Sequence, residues 1–429
     1  MHATTRSSAR PRRRPGVRAW ITAVVVATTS VLVTPTAAPA ADPDPTGFVD
    51  FDTFLTRVAG TDYRTVPTGA AVDDPAAYRR MRDHIMDSYS GVRVEHSFRW
   101  AGTYYDCVVI DSQPSLRGNR EVAAPPAIVE TGPSTDPAVL SPLLAGHTDN
   151  AGNDVSCADG TVPMRRMTLD DMTGFSSVAD YLGKNAARPE QAQRQYAYGR
   201  QTVDNTGGGS IMDVWNPDAN FSLSQQWYSA GSGAGLQTVE GGWVKYPAKF
   251  GAGSVLFVFF TPDNYLTGCY NLECPGFVQT NGDWALGAPF DRYSRPGGDP
   301  VELVEQWVLD DGNWWLYLGT GSTTTPIGYY PAEAYRNGPM SRGAVDVTYG
   351  GEVAPDGAGW PPMGSGEFAD RGPGRAAHQR DIMYFAGESY WADLTTHQTA
   401  PDCYTIDYRY ARDDEGSHFY YGGPGGASC

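Results

Sequence analysis

Residues 301–319 read VELVEQWVLDDGNWWLYLG. Two runs of alternating character flank Asp311-Gly312, a pair favoured in two-residue hairpin turns because Gly and Asp tolerate positive φ. The spacing predicts an antiparallel hairpin. Around it, FSLSQQWYS (221–229), LQTVEGGWVKY (236–246), SVLFVFFTP (254–262) and AVDVTYGGEV (344–353) read as further strands, separated by Gly, Pro, Asn and Asp. The run SVLFVFFTP is apolar throughout, as in a strand buried on both faces. From about residue 195 onward the pattern is β almost throughout. Many short strands without intervening helices mean a sandwich or a barrel.

The N-terminal half has another texture. DPAAYRRMRDHIMDSYSGV (74–92) and MTLDDMTGFSSVADYLGK (167–184) predict helices, the second with Asp170 and Asp171 near its start and Gly183 near its end. TYYDCVVIDSQ (103–113) predicts a strand. The polar stretch GKNAARPEQAQRQ (183–195) reads as a linker. The chain opens with a basic run, RSSARPRRRPGVR, then the short apolar AWITAVVVATTSVLV, then small residues ending at Ala38-Pro39-Ala40. That order is a secretory signal peptide over residues 1–41, too short in its apolar part for a membrane span.

Export makes six cysteines readable as disulfides. Cys107 with Cys157, Cys269 with Cys274, and Cys403 with Cys429 form one pairing among the 15 that six cysteines allow. The net charge is -17, with Arg carrying most of the positive charge. No basic stripe exists to neutralise phosphates, so nucleic acid is not an expected partner. No Gly-x-Ser-x-Gly elbow, His-Glu-x-x-His or phosphate-cradling loop is present, and the histidines lack metal-ligand spacing. His378, His397 and His418 read as surface or loop residues. Neither a metal nor a cofactor is expected. Carboxylates remain as the reactive groups of a hydrolase.

Two acids stand out. Glu240 lies inside LQTVEGGWVKY, where a period of two puts Leu236, Thr238, Glu240, Val244 and Tyr246 on one face, with Trp243 and Lys245 on the other unless the Gly241-Gly242 pair makes a bulge. Glu352 follows the glycine pair of VDVTYGGEV. Two carboxylates brought close across a sheet share a proton, which suits them to activate water and protonate a leaving group.

The motifs GSIMDVWNP, FSLSQQWY, TVEGGWVKYP, TGCYNLECPGFVQT, GNWWL, IGYYP, YGGEV, MGSGEF and FYYGGPGGASC occur in an order that resembles the neprosin family, secreted glutamic peptidases directed to proline. The resemblance spans nearly all of residues 200–429. DCVVIDSQPSL and CADGTVPMRR in the N-terminal half resemble that family's activation domain. The resemblance implies a zymogen: signal peptide 1–41, an α+β prodomain with linker over 42–189, and an all-β antiparallel β-sandwich peptidase domain over 190–429. It implies Glu240 and Glu352 as the catalytic pair, and disulfides at Cys269–Cys274 and Cys403–Cys429. One departure is Glu367 in MGSGEF, where the family more often has His, which would bring a third acid near the pair. Which glutamate starts as base stays open.

Proline preference has its own physical basis. A pyrrolidine ring packs on flat aromatic faces and preorganises an extended chain. Trp227, Trp243, Tyr246 and Tyr329 are candidates for such a groove. The expected partners are proline-containing peptides and the chain's own prodomain, with no membrane, for a monomer active below neutral pH. A proline-directed enzyme would cut its own linker at Pro189-Glu190. From residue 191 on, 13 Lys and Arg face 27 Asp and Glu, so the released domain is acidic. The alternative readings are a carbohydrate-binding module whose tryptophans stack on sugars, and a glycosidase, which also uses paired acids.

Overall fold

A computed structural model describes residues 47–118, 120–127, 147–184, 193–320, 323–355, 359–410 and 416–429. The signal segment 1–41 and the Pro189-Glu190 bond lie outside these residues. The N-terminal region comprises α1 (Phe51–Gly60), α2 (Pro75–Tyr89), β1 (Val94–Trp100), β2 (Thr103–Val109), β3 (Thr161–Arg165), α3 (Leu169–Thr173) and α4 (Val178–Leu182). Asp74 caps α2 by accepting from the backbone N–H groups of Ala76 and Ala77, and Pro75 sits where no helical donor is needed. The helix expected over 167–184 is two short ones. Thr168 and Asp171 close a capping box on α3, and Ser177 starts α4 anew with its side chain on the Asp180 N–H. The three strands pair antiparallel in the order β1-β2-β3.

The rest of the chain is two antiparallel sheets. In chain order the strands are β4 (Gln195–Asn205), β5 (Gly207–Asp213), β6 (Ser222–Ala230), β7 (Gln237–Lys245), β8 (Ser254–Thr261) and β9 (Cys269–Tyr270). There follow β10 (Val278–Gln279), β11 (Glu302–Asp310), β12 (Asn313–Thr320), β13 (Thr323–Tyr330) and β14 (Ala344–Val353). The last are β15 (Ala377–Ala386), β16 (Glu388–Trp391), β17 (Thr395–Gln398), β18 (Thr405–Arg409) and β19 (His418–Gly422). One sheet runs β17-β4-β14-β6-β7-β8-β9. The other runs β10-β13-β12-β11-β5-β15-β19-β18, with β16 beside β15.

The hairpin is as the sequence predicts. Asp310 pairs with Asn313, and Asp311 and Gly312 have φ of 46° and 77°, both in the region a tight hairpin turn needs. β11 Trp307 and β12 Trp314 point between the sheets to meet Trp243, Tyr228 and Leu303, all fully buried, as in aligned sandwich packing. Disulfides join Cys107–Cys157, Cys269–Cys274 and Cys403–Cys429, the pairing expected. Such bonds fit an oxidising compartment. Among the described residues no helix is long and apolar enough to cross a membrane.

Candidate active site

Glu240 sits in the middle of β7, opposite Trp227 on β6 and Phe259 on β8. Glu352 sits near the end of β14, opposite Leu223 on β6 and Tyr196 on β4. β7 keeps a continuous register, so alternation carries Glu240, Gly242 and Val244 to one face of the sheet. Cross-strand pairing puts Gln225, Trp227, Gly350 and Glu352 on that same face. Gln225 stands between the two acids, flanked by Gly242 and Gly350.

The glycine pairs beside each acid have a steric cause. A Cβ on Gly242 would lie 2.1 Å from the Ser224 carbonyl oxygen, and one on Gly350 2.4 Å from that of Ala197. On the reverse face, a Cβ on Gly241 would lie 2.4 Å from Glu305 Oε1, and one on Gly351 2.5 Å from the Tyr421 ring. Neither face has room, so VEGGW and GGEV each carry glycine twice.

Both acids are buried, and both are met by cations from the stretch that reads as a linker. Lys184 ends the N-terminal region. Its Nζ donates to Glu240 Oε2 and, at 2.7 Å, to Gln225 Oε1, and lies 3.7 Å from Glu352 Oε2. It also faces the rings of Phe257 and Phe259, each 5.5 Å away. Arg194, just before β4, places Nη1 3.2 Å from Glu352 Oε1 and stacks on Phe221 at 4.1 Å, while Nη2 donates to the Lys184 carbonyl. Glu240 Oε1 accepts two hydroxyl donors at 2.8 Å, Thr238 and Tyr265. Tyr265 is held at a φ of 63°, its N–H bonded to Thr261 Oγ1 and its ring stacked on Phe259. Burial, then the nearby charge of Glu240, pushes its hydroxyl well above the usual range, so it stays a donor. Oε1 of Glu240 is thus saturated from the protein, and Oε2 faces the space that Lys184 fills.

Sequence reasoning reached the two acids and missed Lys184, Arg194, Gln225, Thr238 and Tyr265. One signal was available for Lys184. The chain has only three lysines, Lys184, Lys245 and Lys249, and all three are buried.

The aromatic candidates divide. Trp227 lies beside Glu240, half-buried, and meets Tyr198, which stacks on His397 and touches Tyr196. These rings form an aromatic flank on the face of the acids. Trp243 points the other way, into the core, where its indole N–H donates to the Asp213 carbonyl. Tyr246 follows β7 and meets Phe221 and Phe175 of the N-terminal region. Tyr329 faces away from the acids and accepts the Ala123 N–H. Glu367 pairs with Arg371 and Arg375 instead of approaching Glu240 or Glu352.

Other acids are buried away from this pair, Asp213, Glu302 and Glu273 among them. His378, expected at the surface, is wedged between Asp213 at 3.1 Å and Glu302 at 2.9 Å. Burial opposes its charge, but Asp213 and Glu302 overcome it and push its pKa to about 10. Burial likewise opposes charge on Glu302, yet His378 and Arg380 hold it at about 2. Glu273, in the loop closed by Cys269–Cys274, meets Lys249 at 2.7 Å under the ring of Tyr181 from α4. Among the described residues no group of His, Cys, Asp and Glu has the arrangement of a metal site.

Residues 218–424 match the family model described as Neprosin. Among solved structures the chain is similar to scytalido-glutamic peptidase with a transition state analog inhibitor, at 9% identity and a TM-score of 0.31, covering 53% of this chain and 98% of that one. It is also similar to the same peptidase with a peptide-based transition state analog, at 10% identity and a TM-score of 0.29, covering 54% and 97%.

Proposed function

Because residues 218–424 place this chain in the neprosin family, we propose that it is the latent precursor of a secreted, proline-directed glutamic peptidase, with Glu240 and Glu352 as the catalytic pair. One observation carries this reading: a lysine from the N-terminal region is seated on both carboxylates at once, where a substrate carbonyl and a water molecule would have to stand. Residues 42–189 then act as the prodomain, and cutting at Pro189-Glu190 separates Lys184 from the sandwich while Arg194 stays with it.

With Lys184 gone, Glu352 keeps a cation beside it in Arg194, which suits it to remain a carboxylate. It takes a proton from water as the oxygen attacks the scissile carbonyl. Glu240, with Oε1 pinned by Thr238 and Tyr265, presents Oε2 as the acid that hydrogen-bonds the carbonyl oxygen and then gives its proton to the leaving nitrogen. The Gln225 amide on the floor between them supplies a further donor to the developing oxyanion. Trp227 and Tyr198 offer the flat faces that a proline ring packs on.

Acid favours release. Lys184 binds the pair as carboxylates, and protonating either removes that attraction. His84 of α2 places Nε2 2.9 Å from the Glu273 carbonyl, and burial holds its pKa below 6.5. Undocked it binds a proton more readily, so docking weakens as pH falls below 6.5. Burial raises Glu273, which works the other way.

The test is mass spectrometry of a denatured proline-rich protein incubated with the chain at pH 4 and pH 7, with Glu240→Gln and Glu352→Gln alongside. Cleavage after proline, lost in both variants, is the expected result. Cleavage surviving in either variant sinks the assignment. N-terminal sequencing of the acid-treated chain checks maturation, and a start upstream of residue 185 contradicts it.

A further inference from the structure

A second aromatic surface lies on the opposite side of the sandwich. Glu305 and Trp307 on β11 point inward against Gly241, so Gln306 and Val308 point outward. Their cross-strand partners Tyr317 and Trp315 on β12 share that outer face, as does Tyr329 on β13, whose ring centroid lies 4.6 Å from that of Trp315. With Val278 they make an apolar strip.

That strip is not bare. Ile110, Leu116 and Ala123 of the N-terminal region pack on it. Gln113 reads the β10 edge, donating to the Gln279 carbonyl at 2.8 Å and accepting its N–H at 3.0 Å. Beyond it, residues 121–127 read EVAAPPA and take up neither helix nor strand. Tyr329 Oη accepts the Ala123 N–H at 3.0 Å, and Tyr317 Oη donates to the Pro126 carbonyl at 2.7 Å. Neighbouring aromatic rings beneath, with tyrosine hydroxyls on the backbone of a Pro-Pro segment, are the way aromatic grooves hold preformed extended chains.

Gln306 adds a second observation. It is 1% exposed, yet neither atom of its amide has a partner among the described residues. It lies in register with Tyr317, over Gly209, where a Cβ would come within 2.7 Å of its Cγ. A buried amide left unpaired costs stability unless something reads it. A donor and an acceptor side by side match one peptide unit.

We propose that Trp315, Tyr317, Tyr329 and Gln306 form a binding site for extended, proline-rich peptide, distinct from the catalytic cleft. In the precursor the chain's own Ala123–Pro126 engages Tyr329 and Tyr317 and leaves the Gln306 amide unpaired. After maturation it is free to hold a proline-rich stretch of a long substrate while another part of that substrate is cut. This last use rests on the peptidase reading, whereas the binding does not.

The test for binding uses the full chain with Glu240→Gln, to prevent cleavage, and Pro125→Asp with Pro126→Asp, to vacate the strip. Fluorescence anisotropy follows a labelled peptide EVAAPPA and a copy with both prolines replaced by alanine. Saturable binding is expected, about tenfold weaker for the alanine copy, which loses preorganisation. Tyr317→Phe with Tyr329→Phe should weaken it by a further factor of about thirty, the worth of two hydrogen bonds at about 1 kcal/mol each. No saturable binding, or equal binding of both peptides, overturns the proposal. In the acid-treated chain with its native Glu240, the same two Phe changes should raise KM for a long proline-rich polypeptide and leave a short single-proline peptide unaffected. Equal losses on both substrates would mean a structural role only, and no loss on the long one would remove the use in catalysis. Cleavage by the Glu240→Gln chain would refute the catalytic assignment and leave the binding result standing.

Discussion

Two buried carboxyls sit back to back across β7, and they behave differently. Glu240, on the cleft side, is met by Lys184, Thr238 and Tyr265. Glu305, on the core side under Gly241, accepts one bond from the Trp307 indole, and its other oxygen has no partner among the described residues. Burial pushes Glu305 up to about 8, with only the Trp307 bond opposing it, so it is a neutral acid over most of the physiological range. Both are fully buried. Burial therefore does not mark a reactive site. Convergence does: a second carboxylate, a lysine that meets both acids, and donors that fix which oxygen of Glu240 faces that lysine.

The comparison can be broken at several points. Lys184→Met leaves two carboxylates facing each other with one cation fewer, and breaking a buried pair costs about 3–5 kcal/mol. The full-length variant should cleave a proline-containing peptide at pH 7 without acid treatment, and a variant still latent at that pH would show that Lys184 is not what blocks the cleft. The two tryptophans probe the two faces next. Trp243→Ala should lower stability by about 3–5 kcal/mol, as a large core truncation does. Trp227→Ala should leave the melting temperature nearly unchanged and lower kcat/KM on proline substrates about tenfold, one packing contact's worth. Equal melting temperatures for the two variants would contradict the assignment of faces. Gly241→Ala drives a methyl group onto Glu305 and should cost about 1–3 kcal/mol, read by chemical denaturation.

The smallest effect is the pH slope. Unfolded, Glu305 ionises above 4.5, whereas folded it holds its proton up to about 8. The native state binds more protons across that window, so stability falls as pH rises through it. His378 works in the same sense from 6.5 to about 10. Glu302 acts oppositely, its contribution being lost as pH falls from 4.5 toward about 2. Melting temperatures should therefore be higher at pH 5 than at pH 8, and Glu305→Gln should flatten that difference. An unchanged slope in the variant would locate the titration elsewhere.

Much of the sandwich was readable because strand signals are local. Asp311-Gly312 between alternating runs specifies a hairpin whatever surrounds it. The acids were readable through the motifs VEGGW and GGEV, which the resemblance to the neprosin family singles out. The helix expected over 167–184 split because Ser177 caps a new start, a local signal that the apolar period masked. Trp243 was legible as the opposite-face partner of Glu240 once β7 proved free of a bulge. Tyr329 was not legible, since the face it occupies depends on which strands flank β13.

The sequence by itself determined the strands and the two acids within them, because turn chemistry and side-chain period act over a few residues. Tertiary structure alone decided that Lys184 and Arg194, in a stretch that reads as linker, close on Glu240 and Glu352. It also decided that Tyr317 and Tyr329 take the backbone of residues 123–126 on the far face. Those contacts join residues 56 to 206 positions apart, and no local pattern encodes a partner at such separations.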